Sequence, residues 1–342
     1  MLKRSRSREN AAAPEPSGPV RVHYPRLMSA EGTMSQRKRP KGWLGVGWAC
    51  FESAAAGRAE HVPTSADYPD SVVRRTSFVA GGGHGWRISA LVTPRATAPR
   101  WKIVVITGAP SWAEYWAPVM AALPQDREMV VVDRPGYANS EPTTAVCDIR
   151  LQAQALAPLM VTAPGQKILL VGQSYGAAIA SLMAHAQPGK VGGLVLLSGY
   201  FGELGPTARR LVDMGSKTLK VLPRDLRNAI QEVTGQPAQL DLARRALADL
   251  KAPVHVIHGD RDDFAPAETA ERLVAQTRGR RPMTFHRVTD GDHFINDGPA
   301  EHLLEALEAC IPRSRAFKPA WPDFGRLFSR LHLPVLGQAA KA

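Results

Sequence analysis

From residue 102 onward the chain repeats one pattern, a short run of Val, Ile and Leu followed by a longer stretch with helical spacing. The apolar runs fall at 102–106, 129–132, 167–171, 193–197 and 254–257, and a more alternating one at 283–288. Helical stretches fall between and after them, at 113–123, 149–160, 177–186, 268–276 and 300–309. A strand that is apolar on both faces must be covered on both faces, and only a parallel sheet with crossover helices supplies that cover. The alternation therefore predicts an α/β fold with a mostly parallel sheet between two layers of helices. Residues 72–79 and 86–92 are β-rich and flank Gly81-Gly82-Gly83-His84-Gly85, which reads as an antiparallel hairpin entering at the sheet edge. The rhythm breaks once. Residues 205–250 are helical throughout and follow the 193–197 strand, so they are expected above the carboxyl edge of the sheet, where ligands bind in open α/β folds.

At the end of the third run stands Gly172-Gln173-Ser174-Tyr175-Gly176. In a chain with 29 glycines such a pentapeptide is weak evidence by itself. Its position strengthens it, because an apolar strand ends at its first glycine and an Ala-rich helix begins at its last, the strand-turn-helix context of a nucleophile elbow. In so tight a turn Ser174 must take a strained backbone conformation, and Gly172 and Gly176 leave room where side chains would collide. The hydroxyl then stands at a helix start, where backbone amides favour developing negative charge.

A serine hydroxyl needs a base to take its proton. Among ten histidines, His293 follows the last strand and precedes the last helix, which puts it on a carboxyl-edge loop. His258 sits at a strand end and reads as packing or as support for the neighbouring acid loop. His84 lies in the edge hairpin, and His185 lies on the helix after the elbow. The base needs a carboxylate to fix its tautomer. Gly259-Asp260-Arg261-Asp262-Asp263 offers three, of which Asp262 is assigned to His293, Asp263 is the second candidate, and Asp260 is read as stabilising the loop. The order Ser, Asp, His along the chain is that of an α/β hydrolase and of neither common protease order. An oxyanion needs backbone N–H donors near the serine. One is the residue after it, Tyr175. In Thr107-Gly108-Ala109-Pro110 after the first parallel strand the proline has no N–H, which leaves Ala109 as the second.

These motifs resemble the α/β-hydrolase fold superfamily, in its small lidded esterase and lipase-like branch, over residues 72–312. The resemblance implies a Ser174–His293–Asp262 triad acting on an ester or related acyl bond, without cofactor or metal. Asp133-Arg134-Pro135-Gly136-Tyr137-Ala138-Asn139-Ser140 is similar to the family's D-x-P-G-x-G-x-S loop, with Ala138 at the second glycine. Thr107-Gly108 stands where the family usually has His-Gly. A serine at the elbow sets the chain apart from the aspartate-based dehalogenase and epoxide-hydrolase branches.

Residues 205–250 are the expected lid. Phe201, Leu204, Leu211, Met214, Leu219, Val221 and Leu222, with Trp112, Tyr115 and Trp116, suit a small-molecule substrate with an apolar acyl or alkyl group, or else pack lid on core. Transfer of the acyl group to another acceptor or to peroxide uses the same triad, and a non-catalytic ligand-binding homologue shares the fold.

The net charge of +12 invites a nucleic-acid reading. Residues 1–42 carry ten Lys/Arg against three Glu, and residues 313–342 carry six against one Asp, so the segment between is neutral. That distribution speaks against a basic nucleic-acid face on the folded domain. Residues 1–70 lack sustained periodicity and read as a disordered leader or linker, residues 71–312 as the hydrolase domain, and 313–342 as a basic tail. Cys50, Cys147 and Cys310 are too scattered for a disulfide framework or zinc site. No stretch is long and apolar enough to span a membrane. A cytoplasmic protein is expected. The alternative is a bacterial lipoprotein acylated at Cys50, with translation from Met34 and Arg37, Lys38, Arg39 and Lys41 ahead of a short apolar run. Phe324, Leu327, Phe328 and Leu331, with Arg326 and Arg330 between, form a basic amphipathic pattern suited to peripheral membrane contact or to docking on the enzyme itself.

Overall fold

The computed structural model describes residues 21–24, 63–277, 283–297 and 299–312. The expectations for Cys50, for most of the leader and for the tail beyond residue 312 lie outside them.

Strands β2 (Arg74–Val79) and β3 (Arg87–Val92) form the expected hairpin. They join β4 (Trp101–Ile106), β5 (Arg127–Val132), β6 (Lys167–Gln173), β7 (Val191–Leu197), β8 (Val254–Gly259) and β9 (Met283–Val288) in one sheet. β1 (Arg21–Tyr24) adds itself parallel to β9, giving the order β1-β9-β8-β7-β6-β4-β5-β3-β2. β3 pairs antiparallel with β5 and with β2, and every other pairing is parallel.

The helices are α1 (Ala117–Ala121), α2 (Ile149–Ala155), α3 (Gly176–Ala186), α4 (Pro206–Lys217), α5 (Arg224–Gly235), α6 (Leu240–Asp249), α7 (Ala267–Gln276) and α8 (Ala300–Ala309). Successive strand residues point to opposite faces, so Val104 and Ile106 join a core with α2, α3, α6 and α7, while Ile103 and Val105 join a second core with α1 and α8. Both faces are buried, which is why the strands read as unbroken apolar runs. None of the described helices is long and apolar enough to cross a membrane.

Three expectations shift. The helix expected over 149–160 starts at Ile149, where the Asp148 side chain caps the amides of Arg150 and Leu151. It gives way to a 3-10 turn, Ala157–Met160, because Pro158 cannot donate inside a helix. The stretch 113–123 likewise splits into a 3-10 turn, Ala113–Trp116, and α1, with Pro118 opening the latter. The stretch read as a leader ending at residue 70 is not structureless throughout. Besides β1 it includes the 3-10 turn Ser65–Asp67, where Ser65 donates its amide to Glu114 Oε2 at 2.6 Å and its hydroxyl to Oε1 at 2.8 Å. Three helices, α4 to α6, fill the interval between β7 and β8.

Candidate active site

Ser174 follows β6 directly and has φ +49°, the left-handed region that non-glycine residues avoid. Three backbone hydrogen bonds hold it there. Its amide donates to Leu197 O at 2.9 Å, and its carbonyl accepts from Ala177 at 3.1 Å and Tyr200 at 3.0 Å. Both flanking glycines are sterically required. A Cβ on Gly172 would lie 2.6 Å from Ala177 Cα, and one on Gly176 would lie 2.2 Å from Ile106 O. Gly108 belongs to the same arrangement, since its Cβ would stand 2.9 Å from that of Ser174.

The ends of β8 and β9 bring the other two residues in. Asp262 lies three residues past β8 and His293 five past β9, both buried. His293 Nδ1 is 2.8 Å from Asp262 Oδ2, and His293 Nε2 is 3.0 Å from Ser174 Oγ. A carboxylate can only accept, so the ring proton sits on Nδ1 and Nε2 is left to accept the serine O–H. The Phe264 ring stacks on His293 with centroids 5.3 Å apart, and Phe294 meets it edge-on.

Asp262 is the partner of His293, and Asp263 is not; its carboxylate turns outward to the Thr207 hydroxyl. The loop-stabilising role read for Asp260 is corrected. Its Oδ1 is buried without a hydrogen-bond partner, and it is Asp262 that ties the loop, its Oδ1 accepting from Phe264 at 3.0 Å and Ala265 at 2.8 Å. His258 supports the acid. Its Nε2 lies 2.7 Å from Ala265 O and 3.0 Å from Asp262 Oδ2. Burial pushes the Asp262 carboxyl up, but hydrogen bonds from His258 and His293 outweigh it and hold the group well below the usual carboxylate range.

Tyr175 directly follows Ser174, and Ala109 directly follows Gly108, which packs against Ser174; neither amide has a hydrogen-bond acceptor among the described residues. Thr107 uses its hydroxyl away from them, donating to Val132 O at 2.9 Å beside a short contact with Ser111. Side-chain contacts that the sequence does not announce bind the site together. Gln173, inside the pentapeptide, accepts from Trp116 Nε1 at 3.0 Å and donates to Asn296 Oδ1 at 2.6 Å, so the residue before the serine reaches the loop that carries His293. Arg134 and Glu232 form an ion pair at 2.8 Å with both side chains fully buried. Trp112 donates to Asp225 of α5 at 2.6 Å. Of the apolar residues expected near a ligand, Trp116 is buried, whereas Tyr115, Met214 and Val221 are exposed.

Among the described residues one group has metal-ligand chemistry, His255, His286 and Cys310, with ligand atoms within 4.8 Å of one another. It shares no residue with the Ser174 constellation. His255 Nδ1 and His286 Nε2 stand 3.0 Å apart in a hydrogen bond, closer than the ~3.3 Å that zinc–nitrogen distances and tetrahedral angles impose.

The family model of the alpha/beta hydrolase fold matches residues 103–215, which run from β4 through the elbow into α4. Solved structures extend the likeness over the sheet. A membrane phospholipase A described as a bacterial virulence factor superposes with a TM-score of 0.53 at 19% identity, covering 77% of this chain and 96% of the other. The chain has the α/β-hydrolase fold. A thermophilic esterase from Thermogutta terrifontis, with a TM-score of 0.53 at 18% identity, shares the α/β-hydrolase fold over 68% of this chain and 96% of its own. By sequence, the chain is 29% identical over 211 residues to a 2-hydroxy-6-oxononadienedioate/2-hydroxy-6-oxononatrienedioate hydrolase of Burkholderia vietnamiensis, a match that spans 49% of this chain and 71% of that protein.

Proposed function

We propose that this α/β hydrolase cleaves an ester or related acyl bond of a small molecule through an acyl-enzyme on Ser174. The observation that carries the reading is the unbroken hydrogen-bonded line from Ser174 Oγ through His293 to Asp262, at 3.0 and 2.8 Å, with the serine held at a positive φ. Ser174 Oγ attacks the carbonyl carbon as its proton passes to His293 Nε2. The amides of Ala109 and Tyr175 stabilise the oxyanion. The tetrahedral adduct collapses, His293 returns the proton to the leaving alcohol, and water repeats the sequence to release the acid. Asp262 stays ionised and stabilises the imidazolium. This sequence uses no cofactor and no metal.

Helices α4 to α6 serve as the lid in this reading. Phe264 and Phe294 beside His293, and Trp112 tied to α5, favour a substrate with an apolar acyl or alkyl group. The Burkholderia relative supports a second reading. The compound in its name offers a ketone and no ester, so hydrolysis there breaks a carbon–carbon bond. Cationic side chains favour the binding of such a dicarboxylate. Arg134 is the buried arginine or lysine among the described residues, and Glu232 already neutralises it, which favours the ester reading.

Labelling by a fluorophosphonate probe, with turnover of p-nitrophenyl esters of increasing chain length, tests both mechanism and pocket depth. Wild type is expected to label and to turn over, and Ser174→Ala to do neither. A folded wild type that resists the probe and leaves every ester intact overturns the reading; turnover of the dienedioate alone transfers it to the carbon–carbon bond.

A further inference from the structure

Outside the triad, Arg134 on the loop after β5 and Glu232 on α5 form a fully buried ion pair. The guanidinium has no spare donor. Its Nε reaches Thr107 O at 2.9 Å and Gly108 O at 3.3 Å, Nη2 reaches Gly108 O at 2.7 Å and Glu232 Oε2 at 2.8 Å, and Nη1 reaches Gln152 Oε1 at 2.6 Å and Glu232 Oε1 at 3.1 Å. The rings of Tyr137 and Tyr175 lie 4.9 and 4.7 Å from its central carbon. Glu232 is equally saturated, accepting also from Gln152 Nε2 at 2.7 Å and from the Tyr137 hydroxyl at 2.6 Å.

The carbonyl of Gly108 and the N–H of Ala109 belong to one peptide unit. A trans peptide is planar and its C=O and N–H point in opposite directions. Fixing Gly108 O on the Arg134 fork therefore aims the Ala109 N–H the other way, and a charged donor on the carbonyl polarises the unit and strengthens that N–H. The second oxyanion donor is set by the same device from the sheet side, because the Tyr175 N–H shares its peptide with the Ser174 carbonyl, which Ala177 and Tyr200 hold. The two donors thus differ in what orients them. Tyr175 depends on the elbow and the end of β7, whereas Ala109 depends on Arg134, whose counter-charge sits on a helix of the lid.

We propose that Arg134 and Glu232 are positioning residues that make the Ala109 half of the oxyanion hole contingent on the seating of α5. Stability alone is a weak reason to keep such a pair, since buried ion pairs replaced by apolar side chains of similar volume commonly lose none. A shift of α5 withdraws the carboxylate, frees the guanidinium from its fork and releases the Gly108–Ala109 peptide from its orientation. The lid then governs catalytic competence as well as access.

The inference rests on the acyl-enzyme reading, and one experiment separates the two. Steady-state constants are measured for a p-nitrophenyl ester and for its thionoester, whose sulfur is a weak hydrogen-bond acceptor and so gains little from the oxyanion donors. The variants are Glu232→Gln, Arg134→Lys and the double variant Arg134→Met/Glu232→Leu, which removes both charges at similar volume and keeps the test open where a single variant fails to fold. In the double variant kcat for the oxygen ester is expected to fall roughly 10- to 100-fold, somewhat less than the loss of an entire oxyanion donor. KM is expected to stay within about twofold, because the donors act on the transition state. The oxo-to-thiono preference is expected to fall with kcat, a change that general loosening of the fold does not produce. Glu232→Gln and Arg134→Lys are expected to lie between. An unchanged oxo-to-thiono preference in a folded double variant overturns the coupling while leaving Ser174 in place. Full turnover by Ser174→Ala instead removes the acyl-enzyme reading itself.

Discussion

Acid lability of this protein should originate under α8, away from the triad. His255 on β8 and His286 on β9 lie side by side and buried, with Nδ1 of the first 3.0 Å from Nε2 of the second and rings stacked at 5.2 Å. Burial pushes His255 down to about 4, and burial with the neighbouring His255 pushes His286 down to about 3. In the unfolded chain both titrate near 6.5. The folded pKa values are the lower ones, so below pH 6.5 the unfolded state takes up protons that the folded state refuses. Stability present at pH 7 is therefore lost as pH falls. At pH 5 each histidine is roughly 1.5 pH units below its unfolded pKa and still neutral when folded, which costs about 2 kcal/mol apiece and about 4 kcal/mol for the pair. That is a large part of a typical domain's stability of about 5–15 kcal/mol. Urea titrations at pH 7, 6 and 5 read it directly. Wild type should lose most of that stability between pH 6.5 and 5, and His255→Leu/His286→Leu, with both partners replaced together, should show a much flatter profile. Parallel loss in the two proteins would refute the reasoning.

Two further predictions concern the triad. Gly108→Ala places a methyl 2.9 Å from Ser174 Cβ and 3.4 Å from Oγ, so kcat on a p-nitrophenyl ester should fall roughly 100-fold through displacement of the serine, with little change in thermal unfolding. Asp262→Asn should cost about 10⁴-fold in kcat, as expected when a triad histidine is left in the wrong tautomer; Asp263→Asn, which disturbs an exposed bond to Thr207, should stay near wild type in the same assay.

Much of this architecture is legible in the sequence because it is local. Strands of the central sheet are buried on both faces and so announce themselves as Val/Ile/Leu runs, and the elbow is announced by glycines that its own turn requires. The spacing of Asp262 and His293 from their strands is likewise readable, since both follow β-strands that end at one sheet edge. The preference for Asp262 over Asp260 and Asp263 has its physical reason outside the local sequence. A loop of three neighbouring acids differs only in which way each side chain points, and that is decided by the amides of Phe264 and Ala265 and by His258. Arg134 and Glu232 are also invisible to local reading, being 98 residues apart. A buried arginine leaves no periodic signature, and its partner lies on a helix whose other faces are ordinary. The Pro158 break in the 149–160 helix was legible in principle, and the apolar spacing concealed it.

Gln173 has a consequence for how the site responds to motion. Its amide spans from Trp116, near the start of α1, to Asn296, three residues beyond His293. The serine and histidine loops are therefore fastened together behind the reacting atoms as well as across them. Separation of Ser174 from His293 by breathing of the two loops must first break a bond that substrate never touches. Slow hydrogen exchange should accordingly group the elbow with the residue 293–296 loop as a single cooperative unit, distinct from the exchange of α4 to α6.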